Sequence, residues 1–592
     1  MPPPTTKHES GRSDASTSVP RTGRRGASPA ASLTLFIALA ILHTWPLATA
    51  PGTLSRNDNG DAVLHEWILA WVAHQIVTDP LHLFDANIFH PERYTLAYSD
   101  HMLVQSLLGA PMLWAGASPV LVHNLVLIAG LALTGWTTSL VVRHWTGSWL
   151  AGVVSGSLVA FNAFTLTRLP QLQDLHLEFF PLALLALDRL LDAPRVRHAL
   201  TLAGAFVLQS LAGTYLMVFT FLSLVAAAVV RPREWMHGRW RGVAACLVLA
   251  ALTALAALTP FLLPYYYARE AVGLGRSLED TARYSAELTD YLAAPGRIHF
   301  EWWGRRFFQG DALFPGFVAL ALACAGIAAH GFRDRRARMV LAIGVAAFAF
   351  SFGPAFPPYR WLYGLFPLLS GIRGAVRFGQ FALAAIGILA GFGVMAILRR
   401  SPSKAGHALV ALLLAGVHVE ALRAPLFYSE FHGIPPIYDA LRDLSRRAVL
   451  VWLPFPSSPQ FHLNAPYMLA STRTFNPTLN GYSGFKPPSY YQHVEALKAF
   501  PDETSIRYLQ KLDVTVAIVD GQTMRPANLA RLSEFPMLSL WKADGPLRIY
   551  LLARPASQQS FNGGQSTNPS GYAPERVSGG RQVVKPLSPG RP

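Results

Sequence analysis

The chain has 592 residues, 52% of them apolar and only 14% charged, and carries a net charge of +16 at pH 7. The apolar residues gather in long runs between short Arg-bearing breaks, which describes a multi-span membrane protein and excludes a soluble domain of this size. Because the basic residues fall between those runs rather than in a patch with interleaved aromatics, nucleic-acid binding is excluded, and the two cysteines, Cys246 and Cys324, both inside apolar runs, indicate neither a disulfide framework nor a Cys-based metal site.

Residues 1–31, rich in Ser, Pro, Gly and Arg, predict a disordered cytoplasmic tail. The run 32–50 predicts an uncleaved first helix, although Ala48-Thr49-Ala50 imitates a cleavage site. Where the chain leaves the bilayer it reads Arg56-Asn57-Asp58-Asn59-Gly60-Asp61, two carboxylates within four residues held by turn formers. Such a cluster alone is more often a solvated turn; its place ahead of a helical segment makes it a candidate for chemistry. Residues 62–78 predict an amphipathic interfacial helix with Trp67, Trp71, His74 and Thr78 along one side, and Asp61 shares a face with His65, four positions on. A polar stretch with Asp85, Asn87, His90, Asp100 and His101 follows, in which Asp100 and His101 also suit the cap of the next segment.

Topology turns on two runs. Residues 101–116 form an apolar run of about sixteen, short for a span, and residues 199–230 one of about thirty-two, on the order of 48 Å as a single helix and too long for one. Reading the first as juxtamembrane or re-entrant and splitting the second near Gly213-Thr214-Tyr215 puts the Arg-rich breaks on one side, among them Arg143, Arg195, Arg231, Arg335, Arg336 and Arg399. About eleven spans result, the N-terminus is cytoplasmic, and the outer face collects residues 51–119, 165–177, 263–311 and 354–377. The second of these contains Arg168, Gln171, Gln173, Asp174 and His176. In the last, Arg373 and Arg377 are four apart at the mouth of a span, a spacing that presents both guanidinium groups on one helix side, for a phosphate or equally for lipid headgroups.

From residue 424 the character changes. Residues 448–455, 514–520 and 547–552 predict strands and residues 489–500 and 504–512 helices, hence a small extracytoplasmic α/β domain over 424–554, with a second disordered tail at 555–592. The loop Asn480-Gly481-Tyr482-Ser483-Gly484-Phe485 can pack on the membrane part.

A first span ending in an Asp-bearing outer loop, juxtamembrane helices, a second acidic loop two spans later, a long outer loop and a C-terminal outer domain together resemble the GT-C superfamily of polyprenyl-phosphate-sugar-dependent glycosyltransferases. Protein O-mannosyltransferases and the aminoarabinose transferase of lipid A belong to it. Gly60-Asp61 with Trp67 to Trp71, Asn87-Ile88-Phe89-His90-Pro91, Ser99-Asp100-His101 and Asn480 to Phe485 are similar to stretches in bacterial multi-span proteins placed near that superfamily. The resemblance covers roughly residues 32–520 and implies residues 32–423 as a GT-C-like transmembrane domain in the bacterial inner membrane. It also implies transfer of a sugar from a polyprenyl-phosphate donor to a glycan, lipid or protein acceptor outside the cytoplasm.

Asp61 or Asp58 matches the superfamily's first-loop acid, and Asp61, abutting the helix, is the expected general base; Asp174 matches the second-loop acid. His176 is expected either to orient Asp174 or to ligate a divalent ion, though no spacing compels a metal site, and a polar loop capping the next helix explains the pair equally well. Arg373 and Arg377 are expected on the departing phosphate, with His65, Asp100, His101 and Gln173 as further substrate contacts. Two other classes of function stay open on sequence alone: a transporter or flippase of lipid-linked sugars, and a non-catalytic envelope scaffold.

Overall fold

The computed structural model describes residues 28–553, apart from 57, 237–238, 309 and 445–447; the tails expected at the two ends fall on 1–27 and 554–592, outside the described residues. The main helices, in chain order, are α1 (Pro29–His43), α2 (Gly60–Thr78), α3 (Leu103–Trp114), α4 (Pro119–Thr146), α5 (Trp149–Ala160), α6 (Phe179–Asp192), α7 (Val196–Ala212), α8 (Thr214–Val229), α9 (Trp240–Val272), α10 (Phe317–Gly326), α11 (Arg335–Ser351), α12 (Phe378–Arg400) and α13 (Lys404–Ala421). Among the described residues four helices are long and apolar enough to cross a membrane, Pro119–Thr146, Trp240–Val272, Ala375–Arg400 and Lys404–Ala421, and six shorter apolar helices accompany them. The chain is a membrane protein of helical architecture.

The break at Gly213 separates α7 from α8, as the length of that run requires. The run after residue 101 forms the 12-residue α3, too short to span. By contrast, the segment read as an outer loop from residue 263 begins as helix: α9 runs 33 residues through Pro260 and Pro264, about 50 Å, before Gly273 at φ 72° ends it.

The largest departure concerns α2. Its start is local chemistry: the Asn59 side chain accepts from the Asp61 backbone N–H at 2.9 Å, and Asp61 sits in the first turn, where the helix dipole favours an anion. The helix is not interfacial, however. Residues from Ala62 to Ala73 are buried in an unbroken run, Trp67 and Trp71 included, beneath α3, α4 and a helix over Ala465–Ser471. A helix apolar nearly all round buries itself rather than floating at an interface. This burial encloses Glu66: one carboxyl oxygen accepts from Ser55 at 2.8 Å and the other has no partner.

After α13 the chain returns to the first outer loop before building its sheet. Strand β1 (Leu54–Ser55) pairs antiparallel with β2 (Ser429–Glu430), and the Tyr428 hydroxyl donates to the Thr44 carbonyl at 3.0 Å. Strands β3 (Val449–Leu453), β4 (Val514–Asp520), β5 (Leu538–Asp544) and β6 (Leu547–Leu552) form a mixed sheet in the order β3-β4-β6-β5, with β3 parallel to β4 and the other pairs antiparallel. Val449, Val451 and Leu453 face one apolar cluster and Leu450 and Trp452 another, so both faces are covered and β3 reads as continuously apolar.

At the far end of the bundle from Asp61, Arg231 is fully buried and donates to Asp188 at 2.7 Å and Asp192 at 2.6 Å, while Arg336 holds the other oxygen of Asp188 at 2.8 Å. These pairs tie the end of α6 to the start of α11. Removing one partner leaves an uncompensated buried charge. Arg231→Ala is therefore expected to destabilise the detergent-solubilised protein by about 3–5 kcal/mol, read as a lowered thermal midpoint, while Arg400→Ala, at an exposed helix end, leaves the midpoint unchanged.

Candidate active site

Three segments far apart in sequence meet at the start of α2. Asp61 accepts from the Tyr482 hydroxyl at 2.8 Å on one oxygen and from the Gln171 amide at 3.0 Å on the other. The packing at Gly60 is tight, since a Cβ would stand 3.2–3.3 Å from His462 and the Tyr482 ring. Tyr482 is held in turn by its loop: Gly481 lies flat on Phe89, and Asn480 bonds both the N–H and the carbonyl of Trp452 in β3. Residues 87–90 pair with 478–480 through three backbone hydrogen bonds, so two of the stretches singled out in the sequence pack directly on each other.

One turn along α2, His65 is buried with Nδ1 2.9 Å from the Pro170 carbonyl and 3.2 Å from the Leu172 N–H. A single ring nitrogen serves only one of these at a time, as donor to the first or acceptor from the second. Either tautomer clasps α2 to the loop that carries Gln171 and Asp174. The Nδ1 edge of His65 is thus engaged within the protein.

Asp174 lies in a 3-10 turn over Leu172–Leu175 and is 1% exposed. One carboxylate oxygen accepts from Arg377 at 3.0 Å, the other is buried without a partner, and its carbonyl accepts from Gln380 at 2.6 Å. Arg373 and Arg377 do not share a helix side. Arg377 ends a 3-10 turn over Ala375–Arg377 and Arg373 lies in the extended segment before it, because Gly371 and Gly374 break the helical run their spacing suggested. They diverge accordingly: Arg377 lies over the Tyr215 ring at 4.8 Å and pairs with Asp174, whereas Arg373 lies over Tyr284 at 4.5 Å and has no carboxylate partner among the described residues. The Tyr215 hydroxyl accepts from the Arg373 N–H at 3.0 Å, so one tyrosine braces both. Arg276 donates to the Gly484 carbonyl and stands close enough to Arg373 that burial and that like charge together lower its pKa.

The two acids are driven apart. Burial acts to raise Asp61, but His65, the Gln171 and Tyr482 hydrogen bonds and Arg377 outweigh it, and the carboxyl titrates below the ordinary range. For Asp174 burial wins over Arg377 and Arg168, and its pKa is raised. Separation of this kind between neighbouring carboxyls marks sites that use them differently.

No protein-family model matches the chain, and no curated protein matches it. Among solved structures, the arabinofuranosyltransferase AftD from Mycobacteria superposes with a TM-score of 0.55 at 14% identity, over 89% of this chain. The chain shares the fold of that structure. It spans 40% of the length of AftD. ArnT from Cupriavidus metallidurans, solved bound to undecaprenyl phosphate, matches at a TM-score of 0.48 and 14% identity over 88% of this chain and 98% of its own. The Archaeoglobus fulgidus oligosaccharyltransferase matches at 0.44 and 12% over 84% and 70%.

Within this fold the remaining expected site residues separate. Asp58 is exposed and forms a surface ion pair with Arg56 at 3.1 Å, outside the cluster. Asp100 is buried and accepts from the backbone N–H of Thr214 at 2.8 Å and from its hydroxyl, so it caps α8, not the segment that follows it. His101 is enclosed by Phe84, Phe261 and Tyr265 with neither ring nitrogen partnered, and burial lowers its pKa to about 4. Gln173 packs its Cβ 3.6 Å from where a Gly213 Cβ would stand. His176 points away from Asp174, with Nδ1 2.9 Å from Glu178 and Nε2 3.2 Å from the Val126 carbonyl. The metal pairing expected of Asp174 and His176 is therefore not assembled, and among the described residues no three His, Cys, Asp or Glu side chains are placed to hold an ion.

Gln171, Tyr215 and Tyr482 join the site without having been assigned to it, and Arg276 is one of five long-loop arginines, with Arg269, Arg283, Arg305 and Arg306, that the sequence offers as weaker candidates for the phosphate. Each of Gln171, Tyr215, Arg276 and Tyr482 is an uncharged or loop residue whose role depends on a partner more than sixty positions away.

Beneath the site, Glu66 yields a test with a defined sign. Burial raises its pKa from 4.5 to about 8, so the folded state keeps a proton that the unfolded state releases, and stability falls as pH rises across that interval. Glu66→Gln retains the acceptor for Ser55 and has no proton to lose. Its thermal midpoint is expected to match wild type near pH 4.5 and exceed it increasingly up to pH 8, and parallel pH–stability curves would contradict this.

Proposed function

We propose that this protein is a membrane glycosyltransferase that moves a sugar from a polyprenyl-phosphate donor to an acceptor hydroxyl outside the cytoplasm, with Asp61 as general base. The observations that carry this reading are a partly accessible carboxylate, Asp61, held by the Tyr482 hydroxyl, and a guanidinium, Arg373, whose charge is felt at that hydroxyl and which has no carboxylate partner among the described residues. The fold shared with a glycosyltransferase supports it.

In the proposed step the acceptor oxygen bonds to the anomeric carbon as the bond from that carbon to the phosphate oxygen breaks. The bonding electrons leave with the phosphate, whose developing charge Arg373 stabilises with Arg276 beside it. The acceptor proton passes to Asp61. A carboxylate of lowered pKa is a weak base in the ground state, but glycosyl transfer runs through an oxocarbenium-like transition state, in which the attacking hydroxyl becomes acidic as its bond forms. Arg377, already neutralised by Asp174, holds that loop and Tyr215 in place rather than binding the phosphate. Asp58 takes no part.

Transfer from a radiolabelled polyprenyl-phosphate sugar pool into membrane acceptors, at matched expression, tests the assignment. Asp61→Asn is expected to cost roughly 10²–10⁴-fold and Arg373→Ala about 10²–10³-fold, while Asp58→Asn transfers as wild type does. The acid limb of the activity is expected below the ordinary Asp value of about 3.9. Undiminished transfer in Asp61→Asn removes it as the base, and no transfer by wild type from a broad donor pool removes the transferase reading.

A further inference from the structure

A cavity of about 570 Å³ lies away from Asp61, between the second half of α2, residues 85–92 and residues 474–477. Trp71, His74 and Phe475 form its aromatic wall, His74 and Phe475 stacked with ring centres 4.0 Å apart. Asn87, 6% exposed, donates its amide to Ser471 and to the Asn476 carbonyl and leaves its carbonyl oxygen unpartnered. The Thr474 hydroxyl is likewise buried and unpartnered. Glu92 has no ion-pair partner among the described residues, whereas Asp79 and Asp85 line the cavity already paired, with His82 at 2.8 Å and Arg93 at 3.0 Å.

This inventory selects a ligand class. No Lys or Arg lines the cavity, and three carboxylates do, which opposes phosphates, uronates and anionic lipids. The described residues assemble no metal site. A purely apolar ligand would strand the Glu92 carboxylate. A neutral sugar chain suits both components, setting C–H faces against the aromatic wall and hydroxyls against the acceptors. The wall runs from Trp71 to Thr78, ten to seventeen residues beyond Asp61 on one helix, or about 15–25 Å at 1.5 Å per residue.

We infer that this cavity is a carbohydrate-binding subsite for a neutral oligosaccharide; its assignment to the acceptor, as the part of the glycan remote from the reacting hydroxyl, rests on the transferase reading above. It selects acceptors by what precedes their end, without contributing to the chemistry.

Binding is measured directly on the purified full chain with neutral malto-, cello-, manno- and arabino-oligosaccharides, and with oligogalacturonate as an anionic probe. At least one neutral probe binds, oligogalacturonate does not, and Thr78→Trp, which fills the cavity from its exposed rim, weakens binding at least about tenfold with the thermal midpoint of wild type. Glu92→Gln is the second variant should Thr78→Trp fold poorly, and is expected to weaken binding in the same direction. In transfer assays both variants raise acceptor KM and leave kcat unchanged. Binding by no neutral probe, equal binding of oligogalacturonate, or binding indifferent to both variants overturns the inference. Neutral-glycan binding lost in the variants, alongside wild type inactive in transfer, sinks the transferase reading and leaves the subsite standing.

Discussion

The site depends on the two hydrogen bonds that Asp61 accepts. One donor, Gln171, belongs to a loop between membrane helices; the other, Tyr482, belongs to the region that follows the last of them, 421 positions away. Neither bond is strong by itself, since a hydrogen bond to a charged group contributes roughly 1.5–3 kcal/mol. Their importance lies in what must already be in place for both to form. Tyr482 requires Asn480 anchored on β3 and Gly481 flat against Phe89, while Gln171 requires the His65 clasp. A single carboxylate thereby registers the position of three otherwise independent segments.

Electrostatics at this end of the bundle are arranged by unequal neutralisation. Arg377 is committed to Asp174, and Asp100 to the N-terminus of α8, where the helix dipole and a backbone N–H stabilise its charge. Arg373 and Arg276 are left facing each other with Tyr215 and Tyr284 as their supports. The repulsion between these two like charges is offset in part by Asp280, which acts on Arg276 from the same segment. The segment carrying Arg276 is tied down, with Thr281 bonded to the Ile372 carbonyl, Ala286 to Ser351, and Val376 to Tyr284. These bonds fix the segment against the helices beside it.

Much of this was legible in the sequence. The alternation of apolar runs with Arg-bearing breaks gives the membrane architecture, and the excess length of residues 199–230 locates the Gly213 break. The acids Asp61 and Asp174 are visible as carboxylates in outer loops, and β4 and β6 run where alternating apolar residues predict them. What was illegible depends on tertiary partners. Helix α2 carries aromatics and histidines that read as an interfacial stripe, yet its burial is decided by a helix at Ala465–Ser471 that lands on it from the far end of the chain. Arg373 and Arg377 have the spacing of one helix face, and only the backbone at Gly374 shows that they diverge. The roles of His176 and Asp100 were misread for the same reason, since a side chain two residues from an acid or next to a helix start has several partners in reach, and sequence adjacency does not choose among them.

The span between Asp61 and Tyr482 also sets an order of events during synthesis. Asp61 leaves the ribosome within the first tenth or so of the chain, whereas Tyr482 and the β3 strand that supports it follow only after the helices through α13 have been made. Until then the carboxylate lacks one of its two donors. A chain cut short between α13 and the 480–485 loop would carry every described helix long and apolar enough to cross a membrane and still present an unassembled site. Biogenesis thus supplies its own checkpoint: competence arrives late and all at once, after the membrane part is already in place.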